Sequence, residues 1–198
     1  HVSGFDAFLF QSLYNPVSGP EIDKNYMAFL IALRTLREHG ARYITGVLPY
    51  LAYARQDKPT PFKREPCTAA LMADLTVAAG LDRLVTWHPH CGQLGGFYGT
   101  VPVDMLDPLQ LLVEEFREYK GRDDVVAVAP DAGAYRLAAQ FSRTLEISSA
   151  VAAKYRSGAD VGVSGIAGDF KGKKTAIILD DILSSGSTVH EGITHIHA

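Results

Sequence analysis

Short apolar runs alternate with helical segments along the whole chain, and this alternation is what most limits the possible folds. Buried strands are expected at residues 7–10, 43–48, 84–87, 125–129 and 175–179. Helices are expected from a cap at Asp23 to Gly40, over 67–79, 108–119 and 134–143, and from Thr188 onward. Strands that are separated by helices favour parallel sheets covered by helices.

The pattern of strand, polar loop and helix recurs in both halves, without a literal repeat and without a Gly/Ser-rich linker. A division near residues 102–106 would give two α/β domains of similar size. We therefore predict domains at 1–105 and 106–198, each a mostly parallel sheet covered by helices.

Composition narrows the functional classes. The 198 residues are 47% hydrophobic and 21% charged, which excludes disorder along the whole chain. The sequence contains no apolar run of the roughly 18 residues that a membrane span requires. A net charge of −3 gives no electrostatic case for nucleic-acid binding, and two cysteines cannot form a disulfide framework, so a cytoplasmic location is expected. The chain starts at His1 and stops within a helical pattern, as a fragment would.

In parallel sheets, ligands bind beyond the carboxyl ends of the strands, so the segments that follow the strands are the candidate sites. Residues 180–188 follow a buried strand and lead into a helix. Their small side chains, hydroxyls and helix N-terminus suit a phosphate, whereas Asp180 and Asp181 suit sugar hydroxyls or hydrated Mg²⁺. The segment therefore predicts a sugar-phosphate site. An acidic turn that caps the helix is the alternative.

This segment resembles the phosphoribosyl diphosphate (PRPP) binding loop of type I phosphoribosyltransferases and of ribose-phosphate diphosphokinases, the PRPP synthetases. Five further blocks resemble the synthetases in family order, at 49–57, 90–97, 101–104, 129–134 and 168–172. The block at 49–57 is absent from the transferases. The resemblance covers nearly the whole chain, and it implies a pair of phosphoribosyltransferase-like domains, the first for ATP and the second for ribose 5-phosphate. It also implies a Mg²⁺-dependent enzyme that works as a homo-oligomer.

The resemblance assigns roles to individual residues. It implies ATP contacts for Arg55, Gln56 and His90, and Mg²⁺ contacts for His90 and Asp131. Lys154 and Arg156 would stabilise the diphosphoryl group during transfer. Ribose 5-phosphate would be bound by Asp180, Asp181, Ser184, Ser185, Gly186, Ser187 and Thr188.

The residues by themselves leave other interpretations open. Arg55 and Gln56 also suit a solvated loop, and Lys154 and Arg156 suit an exposed pair in a loop or extended hairpin. Asp131 precedes a helix and could cap it. His88 and His90 alternate at a strand end, so both could face one ligand, which with Cys91 could be zinc.

Two rival functions stay open, and two departures from the family support the first of them. His88 stands where the family usually has an acid, and residues 58–64 contain unusual prolines and a phenylalanine. One rival is a catalytically weak homologue that regulates a true synthetase. The other rival is a phosphoribosyltransferase, which would use PRPP and a base without a kinase step. Ala134 and Ser184 also differ from many members but resemble those of the archaeal type.

Overall fold

The computed structural model describes residues 1–14, 21–157, 160–183, 186, 189–190 and 193, with side chains for all of these except 153–157 and 160–166. The chain divides into two compact units, His1–Asp107 and Pro108–Ala198. Each unit contains its own four-stranded sheet.

The first unit is built from a parallel sheet with strand order β1-β2-β3-β4. Its elements in chain order are β1 (Asp6–Phe10), α1 (Ile22–Glu38), β2 (Tyr43–Leu48), α2 (Thr68–Ala79), β3 (Arg83–Trp87), a 3₁₀ helix (Gly92–Tyr98) and β4 (Val103–Leu106). Because all four strands are parallel, their carboxyl ends meet at one edge, where the loops that follow β2 and β3 also begin.

Close packing of helices on the sheet forms the first core. Phe29 and Leu33 of α1 are fully buried beside Ile44, Leu48 and Leu84 of the sheet. A Cβ at Gly46 of β2 would lie 2.8 Å from the Phe29 ring, so glycine is what lets α1 approach the strand. Gly80 has φ +113° and ends α2 in the left-handed conformation.

The second unit has the strand order β7-β6-β5-β8. Its elements in chain order are α3 (Leu109–Glu115), a 3₁₀ turn (Arg117–Tyr119), β5 (Val125–Ala129), α4 (Tyr135–Leu145), β6 (Ser148–Ser157), β7 (Asp160–Ala167) and β8 (Thr175–Ile178). Strand β5 pairs in parallel with both β6 and β8, whereas β6 and β7 form an antiparallel pair.

All five residues of β5 are buried, as expected of a central strand with both faces covered. On one face, Phe141 and Leu145 of α4 pack against it, together with Phe116. On the other face, Val126 and Val128 contact Ala150 of β6 and Phe170. This packing holds the carboxyl ends of β5 and β8 side by side.

The predicted fold class, α/β with mostly parallel sheets, is confirmed. The structure differs from the sequence prediction in several places. Strand β4 was not anticipated, because its pattern is short and polar at one position. Residues 154–156 lie on strand β6 and not in a loop, and their antiparallel pairing with β7 is the extended hairpin that the sequence also allowed. Helix α1 starts at Ile22, so Asp23 lies in its first turn and does not cap it; its Oδ1 accepts a hydrogen bond from the Tyr53 hydroxyl.

Among the described residues, no helix is both long and apolar enough to cross a membrane.

Candidate functional site

Three predicted site carboxylates follow the adjacent parallel strands β5 and β8. The register pairs Val128 with Ile178, and the Leu179 N–H donates to the Val128 carbonyl at 3.0 Å. Asp131 therefore follows β5 at about the level where Asp180 and Asp181 follow β8. The sheet brings together acids that lie some fifty residues apart in sequence.

Burial and the neighbouring acids together change the ionisation of Asp180. Burial, followed by the hydrogen bond and negative charge of Asp181, raises the pKa of Asp180 to about 6, and the charge of Asp131 adds to the effect. The Asp180 Oδ1 also accepts the Asp181 backbone N–H at 2.9 Å. Half-buried carboxylates that repel one another are suited to a ligand that supplies hydroxyl donors or a divalent cation.

Asp131 forms a turn ahead of α4 and is not the N-cap of that helix, because the N-cap position is Ala134 and no side-chain hydrogen bond caps it. The Asp131 Oδ1 accepts the backbone N–H groups of Gly133 at 2.9 Å and Ala134 at 3.1 Å. These two bonds fix the orientation of the carboxylate beside the Asp180 segment. A contact of Asp131 with Mg²⁺ stays a prediction.

Only part of the predicted phosphate-binding loop is described. Gly186 has φ +78°, a conformation that favours glycine, and a Cβ placed on it would have no neighbour within 4 Å among the described atoms. Its carbonyl accepts the His190 N–H at 2.9 Å, as at the start of a helix. The predicted contacts of Ser184, Ser185, Ser187 and Thr188 lie outside the described residues.

Lys154 and Arg156 are both on β6, in the antiparallel pair with β7. Lys154 is opposite Val163 and Arg156 is opposite Val161, with a register irregularity between Ala153 and Lys154. A bulge of this kind twists a strand and often lies next to a functional site. The predicted roles of their side chains stay predictions.

In the first unit, Arg55 and Gln56 are exposed within the loop that connects β2 to α2. The Gln56 N–H donates to the Tyr53 carbonyl at 3.0 Å, and Tyr53 has φ +63°, an uncommon conformation for a residue other than glycine. The hydrogen bond from Tyr53 to Asp23 holds this loop against α1. The loop therefore presents two polar side chains on a backbone anchored from behind.

Alternation along a strand would place the side chains of His88 and His90 on the same face, but these residues lie beyond the end of β3. Strand β3 ends at Trp87, and His88 turns away with φ +30°. His90 is exposed, whereas the Nδ1 atom of half-buried His88 is shielded from solvent with no hydrogen-bond partner among the described atoms. Across the described part of the chain, no three His, Cys, Asp or Glu side chains form a metal-binding group, so the zinc alternative gains no support.

One contact group was missed by the sequence analysis. The Cys91 thiol donates to Asp57 Oδ2 at 3.2 Å, and the Cys67 thiol donates to the Asp57 carbonyl at 3.1 Å. Burial and the neighbouring Asp57 carboxylate raise the pKa of the Cys91 thiol. The sequence signal was present, since Asp57 ends the block at 49–57 and Cys91 follows His90, but only the fold shows that they meet.

Two family models match the chain, one within each unit. Residues 1–80 match the model of the N-terminal domain of ribose phosphate pyrophosphokinase, and residues 109–198 match the phosphoribosyl transferase domain.

Individual relatives match over nearly the whole chain. A ribose-phosphate pyrophosphokinase from Clostridium tetani is 38% identical over 194 residues, which cover 96% of this chain and 58% of the relative. One from Caldanaerobacter subterraneus is 39% identical over 189 residues, 95% of this chain and 57% of the relative. The crystal structure of phosphoribosylpyrophosphate synthetase from Mycobacterium smegmatis superposes with a TM-score of 0.80 at 32% identity, covering 99% of this chain and 61% of that one. The chain thus spans about three fifths of the length of these relatives.

Proposed function

Because the chain belongs to the ribose-phosphate pyrophosphokinase family, we propose that the full-length protein makes PRPP. The diphosphoryl group of Mg²⁺–ATP would pass to the 1-hydroxyl of ribose 5-phosphate, giving PRPP and AMP. One observation carries the proposal. Asp131 and Asp180 follow the paired strands β5 and β8, close enough for the charge of Asp131 to raise the pKa of Asp180. Both lie within the half of the chain that matches the phosphoribosyl transferase domain.

The second unit is proposed to bind ribose 5-phosphate. Asp180 and Asp181 accept hydrogen bonds from the ribose hydroxyls, which bind ionised carboxylates strongly. The 5-phosphate is repelled by carboxylates and is assigned to residues 184–188, where backbone N–H groups and hydroxyls precede a helix. The left-handed conformation of Gly186 supports this assignment, because it allows a ligand to approach the backbone closely.

The first unit is proposed to bind ATP. Arg55 pairs with phosphate oxygens or stacks on the base, and Gln56 supplies both a donor and an acceptor. His90 contacts the triphosphate. The exposure of these three side chains on loops at the carboxyl edge of the sheet supports the assignment.

The donor set suits Mg²⁺, which binds through one or two carboxylates and keeps water and substrate phosphate as its other ligands. Asp131 is proposed to contact it in the second unit, and His90 is proposed to contact Mg²⁺–ATP in the first. The cation supplies charge neutralisation on the phosphates when it is bound.

The chemistry itself requires positioning and charge stabilisation. The 1-hydroxyl oxygen attacks the β-phosphorus in line, the bond from that phosphorus to the α,β-bridging oxygen breaks, and AMP leaves while the hydroxyl proton is released. Lys154 and Arg156 are proposed to stabilise the negative charge that develops on the transferring group. A homo-oligomer in the cytoplasm is part of the same proposal.

The test is product formation by the full-length protein. ³¹P NMR of a mixture of ATP, Mg²⁺ and ribose 5-phosphate should show AMP and PRPP in equal amounts. Asp180→Asn should abolish this, whereas Asp169→Asn, at an exposed turn of the same unit, should not. A phosphoribosyltransferase would instead consume PRPP and a base without ATP. A regulatory homologue would bind the substrates and form no AMP. Consumption of PRPP without ATP, or substrate binding without AMP formation, would refute the proposal.

A further inference from the structure

Two cysteines from different parts of the first unit converge on Asp57. The Cys67 thiol, just before α2, donates to the Asp57 carbonyl oxygen at 3.1 Å. The Cys91 thiol, just before the 3₁₀ helix Gly92–Tyr98, donates to Asp57 Oδ2 at 3.2 Å. Asp57 is therefore held from two directions, through its backbone and through its side chain.

The same contacts fix the backbone of Gln56. Its carbonyl accepts the Ala69 N–H of α2 at 3.2 Å and lies 3.6 Å from the Cys67 sulfur. Its own N–H is bonded within the loop to Tyr53. The side chains of Arg55 and Gln56 are exposed, so the loop is attached through its backbone and leaves these two groups available to a ligand.

Cys91 is the neighbour of His90. The hydrogen bond from Cys91 to Asp57 therefore connects the segment that carries Arg55 and Gln56, which follows β2, to the segment that carries His90, which follows β3. Both segments contain side chains assigned to ATP above.

We propose that Cys91 and Cys67 are positioning residues for nucleotide binding, because their thiols fix Asp57 and thereby set the spacing between the Arg55–Gln56 segment and His90. This inference rests on the proposed function, since it takes ATP as the ligand of these segments. Neither cysteine touches the nucleotide in this scheme. Positioning of this kind acts on the affinity for ATP and leaves the ribose 5-phosphate site in the second unit unchanged.

The chemistry of the thiols gives a specific test. Alanine removes the donor, whereas serine keeps a donor of similar geometry. Cys91 should matter more than Cys67, because its acceptor is a carboxylate and hydrogen bonds to charged groups are the stronger ones. A cysteine that only fills space would instead tolerate alanine better than the more polar serine.

The experiment is calorimetric titration of the full-length protein with α,β-methylene-ATP and Mg²⁺, and separately with ribose 5-phosphate. Cys91→Ala should weaken binding of the analogue about three- to tenfold and leave ribose 5-phosphate binding unchanged. Cys91→Ser should restore most of the affinity, and Cys67→Ala should show a smaller loss. Thr35→Ala, which removes a hydroxyl hydrogen bond to the Ile31 carbonyl within α1, is the matched control and should bind as the unmodified protein does.

Three results of these titrations would contradict the inference. Unchanged affinity in Cys91→Ala would overturn the inference while leaving the proposed function intact. Equally weakened binding of both ligands in Cys91→Ala, with a lower melting temperature, would also overturn the inference, since the role of Cys91 would then be structural. If the unmodified protein bound ribose 5-phosphate but no ATP analogue, the proposed function would fail first, and the inference with it.

Discussion

Asp180 should make the protein less stable above pH 6 than it would be with a neutral residue at this position. Its pKa is raised from 3.8 to about 6 by burial and by Asp181, so the folded protein retains a proton that the unfolded chain has already lost. Between about pH 4 and pH 6 the folded state therefore binds more protons, and the free energy of unfolding falls as pH rises through this window.

The size of the effect follows from the shift. About two pKa units correspond to at most ~3 kcal/mol, and because Asp180 is partly exposed, solvent screening reduces this to about 1 kcal/mol. Asp180→Asn cannot ionise, and its side-chain oxygen can still accept the Asp181 N–H. The variant should match the unmodified protein near pH 4 and be about 1 kcal/mol more stable above pH 7.

Hydrogen exchange measured by mass spectrometry in Mg²⁺-free buffer can follow this unit alone. Peptides that cover β5 and β8 should exchange about fivefold more slowly in Asp180→Asn than in the unmodified protein at pH 7.5, and equally at pH 4.5 to within about twofold. Asp169→Asn is the matched control, because the exposed Asp169 accepts the Lys171 N–H at 2.9 Å in a similar turn. Faster exchange in Asp180→Asn at pH 7.5 would refute the reasoning and favour a purely capping role for the acids.

Three further predictions concern the remaining site residues. Asp131→Asn should keep the turn before α4 but raise the Mg²⁺ concentration needed for turnover, whereas Asp131→Ala should also cost about 1 kcal/mol of stability, measured by urea unfolding. Lys154→Ala should lower kcat at least tenfold with little change in ribose 5-phosphate affinity, measured by steady-state kinetics, because a charge used in the transition state affects kcat. Gly186→Val should abolish calorimetric binding of inorganic phosphate and ribose 5-phosphate alike, since valine is strained at φ +78°, whereas Asp181→Asn should weaken the sugar phosphate only.

Elements with strong local patterns could be predicted from the sequence. The five apolar residues of β5 and the Gly80 that ends α2 are local signals, and both were correctly placed. The hairpin of β6 and β7 was missed over most of its length because many of its residues are alanine, serine or glycine, and because the charged Lys154 and Arg156 also suit a loop. Its antiparallel pairing is local in sequence, from Ser157 opposite Asp160 to Val151 opposite Ala167, so the signal was close by but weak.

The contacts of the site could be predicted less well than its residues. Asp180 and Asp181 stand out in the sequence as adjacent acids after a buried strand. The contribution of Asp131 to the pKa of Asp180 follows only from the register of β5 and β8. The bond from Cys91 to Asp57 likewise joins residues 34 positions apart, so the spacing of either motif could not reveal it.

Asp131 combines a turn ahead of α4 with a proposed role in ligand binding. Its two backbone hydrogen bonds orient the carboxylate at the end of β5, and the same placement raises the pKa of Asp180 through negative charge. The turn at Asp131 does not require the repulsion between Asp131 and Asp180, and this repulsion destabilises the ligand-free protein once Asp180 ionises. Hydroxyl groups of a bound sugar would relieve it by donating to the carboxylates, so the local loss of stability and the proposed affinity for ribose 5-phosphate have one cause.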